Sequence, residues 1–234
     1  MIDFLIQSTV CLTVFLSFYH LVLEREKMHE FNRYYLLGTI LISLSIPLLT
    51  FEIIKIVPVV ENIKPISLDA ITTTFTENVI PLQEPTNYTP YVLWLIYGLI
   101  TSALITRFAI NCFKLISKSK SNPIVKYKNA NLVLVDEKTI PHTFLNFIYI
   151  NFEDYNNRNI EDELYTHELV HVNQKHTLDI LFIEFLKGIF WFNPLFIFYK
   201  KAIQLNHEFL ADEEIVKTYN NVPFYQNLLL QMAL

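Results

Sequence analysis

The sequence predicts an α-helical membrane protein that also carries an α+β domain with a small β-sheet. Three observations predict this. Apolar residues fill 52% of the 234 positions and charged residues only 18%, against about 25% charged in a typical soluble domain. Long apolar stretches in the first half approach or exceed the ~20 residues that cross a ~30 Å hydrocarbon core. Beyond them, short β-branched and aromatic runs give way to polar helical segments.

The first apolar stretch, residues 2–23, holds a single charge, Asp3, at its outer end. It lacks a basic start and a small-x-small cleavage site, so a retained anchor is expected rather than a signal peptide. The second stretch, about 34–54, contains Pro47. The third, about 91–116, is interrupted by Arg107, which is expected to snorkel toward the inner surface. Arg25, Lys27 and Arg33 lie between the first two stretches; Lys114, Lys118, Lys120, Lys126 and Lys128 cluster at the end of the third. The long second loop has only Lys55 and Lys64. By the positive-inside bias the N-terminus is outside and everything after the third span is inside. Residues 1–116 are then a three-span, multi-pass region in the cell membrane, with the lipid bilayer as partner. Residues 117–234 are a cytoplasmic domain.

Composition also excludes. Gly occurs only 3 times, which argues against a glycine-rich phosphate-binding fold, and a formal charge of -5 suggests no direct nucleic-acid partner. Cys11 and Cys112 both sit in apolar runs and read as small hydrophobes, not as a disulfide or a Cys-rich zinc site.

Within the domain, residues 131–135 and 147–150 read as strands, with Pro141 and its polar neighbours as a turn between them. A helix is expected to start at Glu161, Asp162 and Glu163, capped by Asn157 or Asn159. The apolar stretch 178–199 holds Asp179, Glu184, Lys187, Asn193 and Pro194 and is a poor free-standing span. An interfacial or protein-packed helix kinked near Pro194 is expected, with Trp191, Phe192 and the aromatics to Tyr199 packing at the membrane interface.

The chemistry lies in His167-Glu-Leu-Val-His171, an HExxH pattern. Residues i and i+4 of a helix are about 400° apart, so both imidazoles project from one face and can reach one Zn²⁺. Glu168 points about 100° away, where it can reach a water at the metal's open position. Zinc lowers the pKa of such a water, and Glu168 is expected to take its proton as general base. A catalytic zinc needs a third protein ligand. A histidine six residues after His171 is ruled out because that position is Thr177, and His176 reads as a surface histidine or as a support for a ligand. The run His207-Glu-Phe-Leu-Ala-Asp212 supplies a Glu, Glu208, with Asp212 one turn on, so that one carboxylate can bind zinc while the other orients a ligating imidazole; the alternative is an ordinary acidic helix surface, since Glu213 and Glu214 follow.

With these residues in hand, the chain resembles the BlaR/MecR family of antirepressor zinc metallopeptidases. The resemblance rests on His167-Glu-Leu-Val-His171, Trp191-Phe-Asn-Pro194 and Glu208-Phe-Leu-Ala-Asp212 in that order, and on the preceding spans and Phe31-Asn-Arg33. It implies a gluzincin-like metallopeptidase domain with one zinc ion on His167, His171 and Glu208, and with Glu168 catalytic. Gluzincin sites hold substrate as a strand added to a sheet edge. Phe147, Ile148, Tyr149 and Ile150 are the expected edge; the alternative is an ordinary core strand. His142 is expected to be solvent-exposed, the alternative being a role toward a reaction oxyanion. His29 is expected to be an interfacial polar residue.

The family generally continues to a further span and an extracytoplasmic sensor. Because the sequence ends at Leu234 inside an apolar run, a C-terminal truncation is expected. Ser117-Lys-Ser-Lys120 fits S-x-x-K by letters, but no S-D-N or K-T-G follows, so it reads as a juxtamembrane basic patch and β-lactam sensing is unsupported. The leading expectation is a regulatory protease that cleaves a cytoplasmic protein such as a transcriptional repressor. The alternatives are a quality-control or prenyl-protein-processing zinc protease, and a non-catalytic membrane transducer or scaffold.

Overall fold

The computed structural model describes residues 2–49, 88–158 and 160–219. Helix α1 (Ile2–Phe18) runs into a π-helical turn, Tyr19–Leu23, before α2 (His29–Ser45) returns along it. The reversal is closed by Asn32, whose side-chain amide donates to the Leu23 carbonyl at 3.0 Å, beside the Glu26 N–H that the same helix-end acceptor takes at 3.1 Å. The second expected span is therefore helical from His29 and shifts to a 3₁₀ turn at Ile46–Leu48 around Pro47, which has no N–H to donate. The expected continuation at 50–54 lies outside the described residues. Arg33, expected in a loop, stands in the second turn of this helix.

Helix α3 (Thr89–Ser121) has 33 residues, about 50 Å at 1.5 Å per residue, more than a bilayer core requires. Asp3–Leu23 and Thr89–Ser121 are long and apolar enough to cross a membrane, and the apolar part of the second is not buried inside the protein at all. It leans on its neighbours at few points. Gly188 allows one: a Cβ there would stand 2.8 Å from Ile105 Cδ1. Tyr97 supplies another by donating its hydroxyl to the Ile189 carbonyl at 3.0 Å.

The sheet follows. Strands β1 (Ile124–Tyr127) and β2 (Ala130–Val135) form a hairpin, and β3 (His142–Phe144) and β4 (Phe147–Asn151) form a second. The order is β1-β2-β4-β3, with β2 and β4 parallel and the outer pairings antiparallel. The two expected strands are the central pair, and the segment expected as a turn at Pro141 leads directly into β3. Strands buried on both faces read as continuous apolar runs, and β2 and β4 do. Leu132, Ile148 and Ile150 pack on Leu169 and Val172, while Val133, Val135 and Tyr149 pack toward Leu115, Ile116 and Leu181.

Four helices follow among the described residues: α4 (Phe152–Asn156), α5 (Asp162–Asn173), α6 (His176–Ile189) and α7 (Leu195–Tyr219). Asn151 caps α4, its Oδ1 accepting from Glu153 N and Asp154 N at 2.9 and 3.0 Å. Asn157 ends α4 instead of capping α5, Asn159 lies outside the described residues, and Glu161 stands at the α5 N-cap without a side-chain bond. Asp162 and Glu163 in the first turn complement the helix dipole, as expected. The stretch 178–199 is not one kinked helix. It breaks completely at Phe190–Asn193, where Asn193 Oδ1 accepts the Leu195 N–H at 3.0 Å and starts α7 with Pro194 behind it. The break lets α7 fold back against α1, α2 and α6, in a core built on Leu12, Leu36, Ile40, Ile183, Phe196 and Tyr199.

Candidate metal centre

Helix α5 presents His167 and His171 on one face, as their spacing requires, and α7 crosses it so that Glu208 arrives opposite. His167 Nε2 and His171 Nε2 are 3.2 Å apart. Glu208 reaches His167 Nε2 at 3.2 Å through Oε2 and His171 Nε2 at 3.9 Å through Oε1. The three side chains offer one ligand atom each, all within 4.8 Å of one another. The structure brings together the expected ligand residues from two helices some forty positions apart in the sequence.

The partners behind each imidazole set which nitrogen faces inward. Asp212 Oδ1 lies 3.4 Å from His167 Nδ1, and a carboxylate there keeps the proton on Nδ1 and a lone pair on Nε2. His171 Nδ1 lies 2.7 Å from His176 Nδ1, and His176 Nε2 lies 3.0 Å from Gln174 Oε1. Gln174 Oε1 can only accept, so a neutral His176 carries its proton on Nε2 and accepts at Nδ1 from His171. His171 is then left with a bare Nε2. Two lone pairs and a carboxylate pointed at one another repel unless a cation lies among them, so the donor set fits a divalent metal.

The same carboxylates also favour a proton on His167, which a bound metal would have to displace. Burial lowers the His167 pKa, but Asp212 and Glu208 outweigh it and hold the group up at about 9. His171 moves down, first through burial and then through the neighbouring His167. The Glu208 carboxyl is held below its usual range by its bond to His167, against the effect of burial.

Glu168 is only 7% exposed and faces the cleft beside the cluster. Burial raises its pKa, and the Thr143 hydroxyl, 2.6 Å from Oε2, opposes the rise. A buried carboxyl with its affinity for protons raised is suited to accepting one. The cleft is a cavity of about 1060 Å³ that reaches from Glu168 and His171 to Arg107 on α3. Arg107 thus lines the cleft besides lying exposed on α3.

Other expectations fare differently. The segment Phe147, Ile148, Tyr149 and Ile150 is not a sheet edge. It is β4, an inner strand and almost wholly buried, with β2 along one side and β3 covering Phe147, Ile148 and Tyr149 on the other, so an added strand has no edge to join there. The edge beside Glu168 is β3. His176 is 3% exposed, which removes the surface reading and leaves support of a ligand. His142 is exposed as expected, its ring stacked on Tyr149 at 5.1 Å and 8°. His29 opens α2, and its carbonyl accepts from Asn206 at 2.9 Å.

The sequence reading missed Thr143, Gln174, Asp179 and His207. Thr143 gave no local signal, because its pairing with Glu168 spans two elements. His207 was visible as the residue before Glu208, and Asp179 as a charge in an apolar stretch.

A helix carrying HExxH, a carboxylate from a later helix and a buried acid in the adjoining cleft form a donor set of the kind a metallopeptidase uses. Residues 3–234 match the family described as BlaR1 peptidase M56, and the chain belongs to that family. It is a peptidase family of the BlaR1 type, so the resemblance read from the motifs holds over nearly the whole chain. No curated protein matches the sequence.

Proposed function

We propose that the protein is a membrane-embedded zinc endopeptidase whose domain faces the cytoplasm and cuts a cytoplasmic protein, such as a transcriptional repressor, in response to a signal. The observation that supports this best is the convergence of His167, His171 and Glu208 next to a buried Glu168 in an open cleft. Family membership supports the peptidase activity, and the lysines at the inner end of α3 support the orientation.

His167, His171 and Glu208 would hold the zinc, and the ion when bound supplies a Lewis acid for the peptide carbonyl and acidifies water. The chain's own residues do the rest. Asp212 and His176 keep each imidazole in the tautomer and orientation that the cluster needs. Glu168 accepts the proton of the attacking water at its carboxylate and can return it to the leaving amine. Thr143 aims that carboxylate. An extended substrate adds to the free side of β3, the only outer strand next to Glu168 among the described residues.

Replacing Glu168 by Gln and following cleavage in native membranes tests the reading. Loss of proteolysis with zinc retained is expected; unchanged proteolysis would remove it. Trapping with the same variant identifies the substrate: one dominant DNA-binding protein is expected, and many unrelated proteins would contradict a regulatory role.

A further inference from the structure

A continuous set of polar contacts leads from α2 to both halves of the metal cluster. Arg33 donates from Nε to Asp179 Oδ2 at 2.6 Å and from Nη2 to the Gln174 carbonyl at 2.8 Å. Asp179, in the first turn of α6, meets His207 Nε2 at 2.9 Å through the same oxygen. His207 directly precedes Glu208 on α7, and its ring lies flat on His176, with centroids 3.9 Å apart and planes 4° from parallel. His176 in turn meets His171 at 2.7 Å. One guanidinium and one carboxylate therefore stand where the α5–α6 turn, which supports His171, lies against α7, which carries Glu208.

The turn itself needs holding. Lys175, between Gln174 and His176, has φ 56°, a left-handed conformation that a side chain with a Cβ disfavours. Arg33 grips the carbonyl just before it. The Arg33 and Asp179 side chains are 14% and 11% exposed, so the pair is shielded from solvent, and loss of either partner leaves a charge with poor compensation. Arg33 serves the two acceptors from two different nitrogens of a planar fork, whereas Lys has a single nitrogen on a flexible stem and reproduces that geometry only in part. Leu36 and Ile40, farther along α2, are fully buried in the core that α2 shares with α1 and α7, so α2 cannot shift against α7 without pulling on these bonds.

We infer that Arg33 is a positioning residue: through Asp179 and the Gln174 carbonyl it fixes the α5–α6 turn against α7, so that the convergence of His171 and Glu208 depends on where α2 stands. This rests on the metallopeptidase reading of the cluster. It gives that site a regulatory input from an N-terminal helix that contributes nothing to the chemistry itself.

The test uses the full chain in lipid nanodiscs, titrated with Zn²⁺ against a competing chelator and with Co²⁺ as a spectroscopic probe. Arg33→Gln is expected to weaken Zn²⁺ binding by about tenfold to a hundredfold, the usual cost of losing support behind a ligand, and to shift the Co²⁺ absorption bands. Arg33→Lys is expected to recover part of both. Val133→Ala, which thins the separate core between the sheet and α3, is expected to lower thermal stability while leaving affinity and spectrum unchanged. Wild-type affinity and spectrum in Arg33→Gln would overturn the inference, as would an equal loss in Val133→Ala. A wild-type chain that takes up no Zn²⁺ would instead overturn the metallopeptidase reading, and the positioning role would go with it.

Discussion

The Thr143 hydroxyl lies 2.6 Å from Glu168 Oε2, tying an outer strand of the sheet to the acid of the HExxH helix. The contact fixes where the carboxylate points and, by bonding its charged form, restrains the rise in pKa that burial causes. Two elements thus share control of the proposed proton acceptor.

Removing that hydroxyl has a signed consequence for pH dependence. The Glu168 pKa is already raised, and Thr143→Val deletes an interaction that lowers it. The acid limb of the kcat/KM profile is expected to move to higher pH. At neutral pH the rate is expected to fall about tenfold or more, as for a hydrogen bond to a charged group worth about 1.5–3 kcal/mol. A pH–rate profile on a peptide substrate checks both; an acid limb moved to lower pH would contradict the assigned role.

Asp212 supports His167 from 3.4 Å, whereas Glu208 reaches both imidazoles. Asp212→Asn is expected to weaken zinc binding about 10- to 100-fold while leaving one site per chain. Glu208→Ala is expected to abolish stoichiometric binding. Chelator competition separates the two, and equal affinities in both variants would contradict the division of labour.

At Gly188, α6 passes close to Ile105 of α3. An added Cβ would meet Ile105 Cδ1 at 2.8 Å, the far end of a flexible side chain, so Gly188→Ala is expected to be tolerated. Gly188→Leu cannot fit without moving α3 and is expected to destabilise by about 1–3 kcal/mol. Thermal unfolding in detergent measures it, and activity is expected to fall as well, because α3 forms one wall of the cleft.

Tyr199 joins α7 to α1 by donating to the Leu12 carbonyl at 3.2 Å from a fully buried position. Tyr199→Phe keeps the ring and deletes the bond. A loss of about 0.6–1 kcal/mol is expected, the usual scale for one hydrogen bond between membrane helices. Denaturant titration of the two proteins checks it.

Local chemistry made much of this legible. HExxH spacing, the pair Glu208 and Asp212, and the apolar runs of β2 and β4 all follow from rules that act over a few residues. What escaped depended on pairing between distant segments. A run such as Phe147 to Ile150 looks the same in a central strand as at an edge, since only the strand order decides. His142–Phe144 is too short to show a period of two, so the true outer strand passed as a turn. The apolar continuity of 178–199 hid the break at Asn193, because two packed helices and one long helix share the same composition. Arg33 could be read as a topology charge and as part of Phe31-Asn-Arg33, but not as an ion-pair partner, since Asp179 lies 146 positions away.

Zinc-edge X-ray absorption on the purified chain tests the central claim most directly. The account predicts one zinc per chain with two imidazole nitrogens and carboxylate or water oxygens at about 2.0–2.2 Å, and loss of that signal in His171→Ala. Stoichiometric zinc that survives in His171→Ala, or a first shell containing sulfur, would contradict it.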